Sequence, residues 1–461
     1  MASIEVLNPY SSNSIQTVEL SSKEVAFTKL EEASALYQNH AKGLSKEKRI
    51  SILEKFYEKF YEAKERLIQL AVLEGAKPIN DTEVEFNRAL EGIKLGVQAV
   101  RSIIGQQIPM NLNAASTNKL AYTIKSPIGV VLSISAFNHP INLAIHQIVP
   151  AIAAGCPVIY KPALTTPLVS EKMIELLYNS GLPKEWCTYL VCDNETTAEL
   201  AQSPLLGYIS FIGSSKIGWS IKAKIAPGVK ISLEHGGNAP VIVRADANLK
   251  LAIPQIAKAG FYHAGQVCVS AQRIYVHDSI CDSFVAQINR LAQTQKLGNP
   301  LSAETEIGPI ISDISLNRVD KWVQDAIDEG ATLIAGGNIL QNNCYEPTIL
   351  LNPLEKSKVT EEEIFGPVIC IYSFSSDEEA ITRANNSRYC FQSAVFTESL
   401  NKALRYTQDL NGSAVLINSH PAFRVDWMPF GGQGLSGDGL GGISYSTEEM
   451  LKQKLIIIAE N

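Results

Sequence analysis

The chain has 461 residues, of which 46% are hydrophobic and 19% charged; this balance excludes a wholly disordered protein and predicts two or three domains. A net charge of −7 excludes a general attraction to nucleic acid or to anionic membranes. The eight cysteines form no C-x-x-C pair and no zinc-type cluster with histidine. We therefore expect reduced thiols, no metal, and a cytoplasmic protein with neither a secretory signal nor a membrane span.

Two amphipathic helical patterns come first along the chain. Apolar residues recur every three or four positions from residue 50 onward, and Gly75 ends that pattern. A second pattern follows, for which Asp81 is the predicted N-cap and whose apolar face includes Val84 and Ile104. Both segments are predicted to be helices that pack one face on a core.

From about residue 128 the pattern changes to short apolar runs that alternate with helical segments. The runs are almost continuously apolar, as expected for parallel strands covered by helices on both faces, so an α/β fold is predicted. One helix is predicted over 167–180, with Gly181 just past its end. The alternation resumes after residue 238 and predicts a second α/β domain. The final KLIIIAE predicts a lone strand that needs a partner edge.

Three polar residues stand where catalytic groups are often found, although each has an ordinary explanation when taken alone. Cys268, in GQVC, is either a nucleophile or one more buried thiol. Glu234, in LEHGG, is either a general base or a surface glutamate that starts a turn. Asn138, in FNHP, either donates to an oxyanion or serves as a turn residue.

Further segments have the composition of ligand-binding loops. Lys161 ends the apolar run VIYKPA and either faces a ligand crevice or is solvated. Gly213 and Gly218, in FIGSSKIG, flank a predicted helix start that either holds a phosphate or is only a tight turn, because the G-x-G-x-x-G spacing is missing. Arg424 lies near a glycine-rich segment and either binds an anion or pairs with Asp426 or solvent.

Seven short motifs occur in a fixed order: FNHP, GCPVIYKPA, FIGSSKIG, LEHGGNAPVIV, GQVC, EEIFGPV and MPFGG. In this order the chain resembles the aldehyde dehydrogenase superfamily from about residue 5 to its end. The resemblance implies an α/β fold with a Rossmann-type cofactor domain, an α/β catalytic domain and a small β element for oligomerisation. The implied ranges are 1–108 and 128–236 for the dinucleotide-binding domain, 237–440 for the catalytic domain, and 109–127 and 446–461 for the oligomerisation element.

The resemblance also implies catalytic roles. Cys268 matches the nucleophile that forms a thiohemiacetal and then a thioester, and Asn138 with the Cys268 amide matches the oxyanion hole. Glu234 matches the residue that activates water to hydrolyse the thioester. Tyr262 and His263, near the cysteine, are expected to be packing residues, and His263 matches no catalytic role of the family.

A nicotinamide cofactor, NAD or NADP, is implied together with its contacts. Lys161 matches the contact to the adenosine ribose and Ser214 the contact to the cofactor phosphate, while Glu363 and Phe365 match the contacts to the nicotinamide ribose and ring. The cofactor-binding residues expected from the resemblance are Lys161, Gly213, Ser214, Gly218, Glu363 and Phe365.

The chain departs from the family pattern at three positions. Leu164 stands where many NAD-preferring members carry a glutamate that repels a 2′-phosphate, so NADP is expected to be accepted. Phe137 replaces the usual tryptophan before the asparagine, and His235 replaces the leucine after the catalytic glutamate. FRVDWMPFGG is similar to the branch that acts on small oxygenated or anionic aldehydes, so Arg424 is expected to bind the substrate. Phe137 is a second expected substrate contact.

Other functions remain open at this point. A CoA-acylating relative would use the same cysteine but typically lacks the glutamate of LEHGG, and a cysteine hydrolase would need a histidine near Cys268. A catalytically silent structural or binding protein on the same fold is the remaining alternative. The expected partners are a small-molecule aldehyde and further copies of the chain, as a homodimer or homotetramer.

Overall fold

The computed structural model describes residues 2–459, and the bounds of its elements are as follows. The strands are β1 (Ser3–Leu7), β2 (Ser14–Glu19), β3 (Gln107–Ile108), β4 (Lys119–Pro127), β5 (Val130–Ile134), β6 (Val158–Lys161), β7 (Cys187–Tyr189), β8 (Leu206–Ile212), β9 (Lys230–Glu234), β10 (Ala239–Val243), β11 (Ala271–His277), β12 (Thr332–Ala335), β13 (Thr348–Leu351), β14 (Val368–Phe374), β15 (Tyr389–Cys390), β16 (Gln392–Phe396), β17 (Ala414–Ile417), β18 (Gln433–Gly434), β19 (Gly437–Asp438) and β20 (Leu451–Ala459). The helices are α1 (Lys23–Gln38), α2 (Lys46–Glu62), α3 (Lys64–Gly75), α4 (Ile79–Ser102), α5 (Pro140–Ala154), α6 (Leu168–Asn179), α7 (Asn194–Leu200), α8 (Ser215–Lys222), α9 (Leu249–Phe261), α10 (Asp278–Thr294), α11 (Asp313–Asp328), α12 (Lys358–Glu361), α13 (Asp377–Asn385), α14 (Leu400–Asp409) and α15 (Ile443–Glu449).

The first large sheet has the order β19-β9-β8-β5-β6-β7, and all its pairs are parallel except β19 with β9. The chain runs outward from β5 through β6 to β7 and then returns to place β8 on the other side of β5. Ligands bind in such sheets beyond the carboxyl ends of the strands, at the point where the order reverses. The loops after β5 and β8 therefore flank a crevice suited to a dinucleotide.

The second large sheet has the order β12-β13-β14-β11-β10-β16-β17, in which only the β12–β13 pair is antiparallel. Its central strands are almost entirely buried, whereas the edge strands β12 and β17 are partly exposed. The sheet packs in one hydrophobic cluster with helices such as α9, α10 and α11. The predicted α/β fold with two parallel-rich sheets is thus present. The boundaries of the three domains stay predictions; β19, from the range 237–440, completes the sheet formed by β5 to β9.

The final strand has its partner within the same chain. β20 pairs with β4 in antiparallel register from Leu451↔Pro127 to Ala459↔Lys119, and β3 extends this sheet on the other side of β4. Residue 460, the last of KLIIIAE, and residue 461, the end of the predicted range 446–461, lie outside the described residues. This leaves β20 as an edge strand nine residues long.

The early helices differ in detail from the prediction. The pattern from residue 50 to Gly75 is divided between α2 and α3, which are separated at Ala63. The predicted cap at Asp81 is wrong, because α4 begins at Ile79 with Pro78 as its N-cap residue. Val84 and Ile104 were also wrongly placed in the core, since their side chains are exposed.

Between residues 2 and 459 no helix combines the length and apolarity that a bilayer span requires. Over the same range, no group of three or more histidine, cysteine, aspartate or glutamate side chains is arranged to hold a metal ion.

Candidate active site

One cavity of about 910 Å³ lies between the two large sheets and receives nearly all the residues singled out from the sequence. Gly218 does not line it. The predicted site residues that line the cavity are Phe137, Asn138, Lys161, Gly213, Ser214, Glu234, Cys268, Glu363, Phe365 and Arg424.

Asn138 lies just before α5, where the buried ion pair of Glu85 and Lys77 stabilises the first helical turn. The carboxylate of Glu85 accepts hydrogen bonds from the backbone N–H groups of Ile141 (2.8 Å) and Asn142 (2.9 Å), which satisfies two free donors of the first helical turn. Lys77 pairs with Glu85 in the protein interior. Asn138 itself donates from Nδ2 to the Gln266 carbonyl at 2.9 Å. Its second amide hydrogen is therefore left for a ligand in the cavity.

Cys268 lies in the turn between α9 and β11. Hydrogen bonds of Gln266, two residues earlier, hold that turn in place. Gln266 is fully buried; its amide donates to the carbonyl oxygens of His263 and Pro309, both at 3.2 Å, and its Oε1 accepts from Ile311 N at 3.0 Å. The chain just before it is left-handed at His263 (φ 48°) and Ala264 (φ 53°), which disfavours β-branched or bulky side chains. The nucleophile candidate thus sits on a rigid, locally strained support.

Tyr262 and His263 lie at the start of this turn, and Tyr262 also lines the cavity. Their expected role as packing residues stays a prediction. Both nitrogens of the His263 ring are buried and have no hydrogen-bond partner among residues 2–459. Tyr262 contacts His139 through its hydroxyl group, 3.2 Å from Nε2. Neither side chain makes a hydrogen bond to Cys268 within the described chain.

Glu234 ends β9 on the opposite wall of the cavity. A Cβ at Gly441 would lie only 2.2 Å from its Oε1, so the carboxylate packs into a space that a glycine provides. Burial raises the pKa of Glu234, and the positive charge of Arg424 opposes that rise. A carboxylate with a raised pKa is a better proton acceptor, so its environment suits a general base.

The Cys268 thiol is protonated in this environment. Burial raises the pKa of Cys268 to about 12, although the nearby charge of Arg424 lowers it in part. The thiolate is the reactive form of cysteine. Proton removal by a neighbouring base, or a further positive charge in the cavity, is therefore needed before Cys268 can attack a carbonyl carbon.

The other end of the cavity has the features of a nucleotide-binding site. Lys161 ends β6 and is 5% exposed, and burial lowers the pKa of its ammonium group while Cys192 and Asp193 oppose the shift. Ser214 is the N-cap residue of α8, yet its side chain makes no capping hydrogen bond. Leu164 lines the same region without bringing a carboxylate. A buried cation and an uncapped helix start together fit the phosphates and ribose of a dinucleotide.

Glu363 and Phe365 form the middle of the cavity. Burial raises the pKa of Glu363 to about 8, against the opposing charge of Arg318, and its Oε1 has no hydrogen-bond partner in residues 2–459. A Cβ at Gly236 would fall 1.5 Å from that oxygen, which explains one glycine of LEHGG. Phe365 has a positive φ of 48°, and its ring meets the Phe137 ring edge-on at 5.9 Å. An unpaired carboxyl oxygen beside an aromatic surface fits a ribose hydroxyl group and a flat ring.

Arg424 approaches the cavity from the C-terminal segment. It does not form the predicted alternative pair with Asp426, because Arg88 makes two hydrogen bonds to that carboxylate, at 3.0 and 2.8 Å. The Arg424 guanidinium lies 3.6 Å from the Phe430 ring centroid, and its Nε is buried without a partner in the described chain. Arg424 lines the cavity, and a guanidinium there suits an anionic ligand.

Sequence reasoning missed several residues around the cavity. Arg88 and His146 are on α4 and α5, and Arg318 is on α11. His146 lies inside a helix that is buried along its whole length. A single histidine in such a helix is indistinguishable, by sequence, from an ordinary core residue. Arg88 could have been found from its spacing, because it follows Val84 by four residues and therefore lies on the same helix face. Both side chains line the cavity.

The chain is similar to known proteins over almost its whole length. A family model described as the aldehyde dehydrogenase family matches residues 1–456. A 3-sulfolactaldehyde dehydrogenase of Priestia aryabhattai is 34% identical over 456 residues, covering 99% of this chain and 94% of the relative. A lactaldehyde dehydrogenase of Methanococcus maripaludis strain C5 is 35% identical over 460 residues, covering 99% and 97%.

The fold also matches solved structures. The crystal structure of the glyceraldehyde-3-phosphate dehydrogenase GapN from Methanocaldococcus jannaschii, complexed with NADP, superposes with a TM-score of 0.94 at 36% identity, covering 99% of each chain. The protein described here therefore belongs to the aldehyde dehydrogenase family, and the resemblance found in the sequence is confirmed. It is an NAD(P)-dependent enzyme, and its relatives support the oxidation of small polar aldehydes.

Proposed function

We propose that this enzyme oxidises a small anionic aldehyde to its carboxylic acid through a covalent intermediate on Cys268. The observation that carries the proposal is that Cys268, Asn138, Glu234 and Arg424 line one cavity. A nucleophile, an amide donor and a carboxylate with a raised pKa are the groups that acyl transfer to water requires.

The chain's own residues account for the following sequence. The Cys268 sulfur gives its proton to solvent water and bonds to the aldehyde carbon. Asn138 Nδ2 and the Cys268 N–H donate to the resulting alkoxide of the thiohemiacetal. The nicotinamide, when bound, supplies the acceptor for the hydride of that carbon, and the product on the enzyme is a thioester. Glu234 then takes a proton from water as the water oxygen attacks the thioester carbon. The carbon–sulfur bond breaks, and the acid leaves.

Arg424 is the proposed binding group for the anionic end of the substrate. Its guanidinium has a buried Nε with no partner within residues 2–459, and guanidinium donors suit sulfonate, phosphate and carboxylate oxygens. Phe137, at the entrance to the Asn138 turn, is proposed to contact the short carbon chain. Sulfolactaldehyde and glyceraldehyde 3-phosphate dehydrogenases among the relatives support an anionic substrate.

Lys161, Gly213, Ser214, Glu363 and Phe365 are proposed to hold the cofactor. The absence of a carboxylate at Leu164, beside the Lys161 ammonium, supports acceptance of NADP as well as NAD. Gly218 is proposed to act differently, by allowing close packing behind the phosphate loop. We further propose that the sheet of β3, β4 and β20 associates with a second copy of the chain.

The test is a comparison of 3-sulfolactaldehyde with lactaldehyde, two substrates that differ by the sulfonate group. Wild-type enzyme should reduce NAD(P) with the sulfonated aldehyde at the higher kcat/KM, and Arg424→Leu should raise KM far more for that aldehyde than for lactaldehyde. Cys268→Ser should abolish turnover, whereas Cys281→Ala, on α10 away from the cavity, should not. An equal effect of Arg424→Leu on both aldehydes would remove the anionic substrate from the proposal.

The alternative acceptor is tested in the same assay. Glu234 supports water as the acceptor of the acyl group, so added CoA should leave the product a free acid. Formation of acyl-CoA at a comparable rate would favour the CoA-acylating alternative. Full turnover by Cys268→Ser would contradict every scheme in which the Cys268 sulfur forms the covalent bond, including that of a cysteine hydrolase.

A further inference from the structure

A chain of hydrogen bonds lies behind Arg424 and ends at a saturated carboxylate. Asp426 is 3% exposed and accepts from Arg88 twice, from Asn142 Nδ2 at 3.2 Å and from His146 Nε2 at 2.7 Å. Burial alone would raise the pKa of Asp426, but the hydrogen bond from His146 and the charge of Arg88 outweigh it, and the pKa falls below its usual value. The carboxylate is ionised, and Arg88 neutralises it.

His146 has only one tautomer that satisfies this arrangement. Because the ionised Asp426 can only accept, the proton must be on Nε2, and Nδ1 is left with a lone pair. Arg424 Nη2 lies 3.3 Å from Nδ1 and donates to it. Burial, reinforced by the charge of Arg424, lowers the pKa of His146 to about 4, so the ring is neutral at ordinary pH.

These contacts hold the Arg424 guanidinium on two sides. One Nη donates to His146, the planar group stacks on the Phe430 ring, and Nε is buried without a partner in the described part of the chain. Since Arg88 already neutralises Asp426, the positive charge of Arg424 is not cancelled within this cluster. The orientation of the unpartnered Nε of Arg424 therefore depends on the His146 imidazole.

We propose that His146 is a positioning residue that transmits the fixed orientation of Asp426 to the guanidinium of Arg424, and thereby sets the preference for anionic aldehydes. The proposal rests on the proposed function, in which Arg424 binds the anionic end of the substrate. His146 makes no contact with the substrate in this scheme. Its effect is on how the enzyme distinguishes charged from neutral substrates.

Two substitutions of His146 each remove one of the two hydrogen bonds of its ring and keep the other. The amide nitrogen of glutamine reaches the position of Nε2, so His146→Gln keeps the donor to Asp426 and loses the acceptor for Arg424. The amide oxygen of asparagine reaches the position of Nδ1, so His146→Asn keeps the acceptor for Arg424. If His146 had a purely structural role, His146→Asn, which loses the buried hydrogen bond to Asp426, would instead be the more harmful substitution.

The measured quantity is the KM for lactaldehyde divided by the KM for 3-sulfolactaldehyde. His146→Gln should lower this ratio about tenfold, as expected for a lost hydrogen bond to a charged group, and His146→Asn should lower it less. In an Arg424→Leu background, His146→Gln should cause no further change in the ratio. Thermal melting of each variant shows whether it is folded, and a folded His146→Gln variant alone is enough for the comparison with wild type.

The outcomes separate the two proposals. If Arg424→Leu changes the ratio but neither histidine variant does, His146 is not a positioning residue and the anionic substrate stands. A larger loss in His146→Asn than in His146→Gln would also overturn the role of His146. If Arg424→Leu leaves the ratio unchanged, the proposed substrate class fails.

Discussion

Gly218 lies directly against the imidazole of His235: a Cβ at residue 218 would be 1.9 Å from Nε2. The ring is fixed from its other side, where Nδ1 donates to the Leu435 carbonyl at 2.9 Å. His235 is 1% exposed, and Phe211 and Trp219 meet it edge-on. The glycine after the proposed phosphate loop therefore serves the packing of α8 on β9, next to Glu234.

We expect Gly218→Ala to destabilise the wild-type protein by about 1–3 kcal/mol, because the methyl group overpacks the site. In a His235→Ala background the clash is absent, and the same change should stabilise α8 by up to about 1 kcal/mol, since alanine is the better helix former. Urea denaturation of the four proteins measures both values. Equal effects of Gly218→Ala in the two backgrounds would show that the ring does not require the glycine.

The pH dependence of turnover should report Glu234. The pKa of its carboxyl is raised from 4.5 by burial, so the base form appears only as pH rises through that higher value. When hydrolysis limits the rate, kcat should rise with pH, with a midpoint above 4.5. Arg424→Leu removes the charge that lowers this pKa and should move the midpoint further upward.

Glu234→Gln provides the control for that assignment. It should slow the steady state by about 10²–10⁴-fold, as is typical for loss of a general base. One equivalent of reduced cofactor per active site should still form in an initial burst, because acylation of Cys268 precedes the step that Glu234 performs. Steady-state turnover at the wild-type rate would contradict the role of Glu234.

The local parts of the fold could be predicted from the sequence, because apolar periodicity and helix ends are local properties. The helix predicted over 167–180 is α6, and FIGSSKIG forms the end of β8 and the start of α8. Pairings between distant segments could not be predicted in this way. β19 closes the sheet at β9, and nothing in the two residues of that strand indicates a partner about 200 positions earlier.

The candidate site, like the fold, has parts that local sequence predicts and parts that depend on contacts between distant segments. Cys268, Asn138 and Glu234 stand in short motifs whose order resembles the family, and that resemblance implied their roles, which stay predictions. The support of Arg424 is different: Arg88 and Asp426 are 338 positions apart, and His146 is 278 positions from Arg424. Only folding brings them together, and the sequence alone left Asp426 as a possible partner of Arg424.

Cofactor preference should depend on residue 164. Leu164→Glu places a carboxylate beside Lys161, where it repels a 2′-phosphate and can accept from ribose hydroxyl groups. We expect the ratio of kcat/KM for NADP to that for NAD to fall at least about tenfold, an effect of about 1.4 kcal/mol. Leu164→Gln, of the same size but neutral, should change the ratio much less. Equal ratios in the two variants would show that charge at residue 164 does not discriminate between the cofactors.

The sheet of β4 and β20 has an apolar face that is open to solvent in the single chain. Leu120, Tyr122, Ile124 and Ile458 lie on one face of the paired strands and are 48%, 37%, 41% and 48% exposed. A contiguous apolar surface on a long edge strand is typical of an interface. We therefore expect a second copy of the chain to cover it.

Leu120→Glu should dissociate the assembly, because its partner across the strands is Ile458 and the new charge would be buried in the interface without a cation opposite it. The matched control is Ile314→Glu on α11, where the side chain is 84% exposed and lies away from this sheet, and it should leave the assembly unchanged. Sedimentation velocity at equal protein concentrations measures the mass of both variants and of wild type. A wild-type protein that sediments as a monomer, or a Leu120→Glu variant of unchanged mass, would show that this face is not the interface.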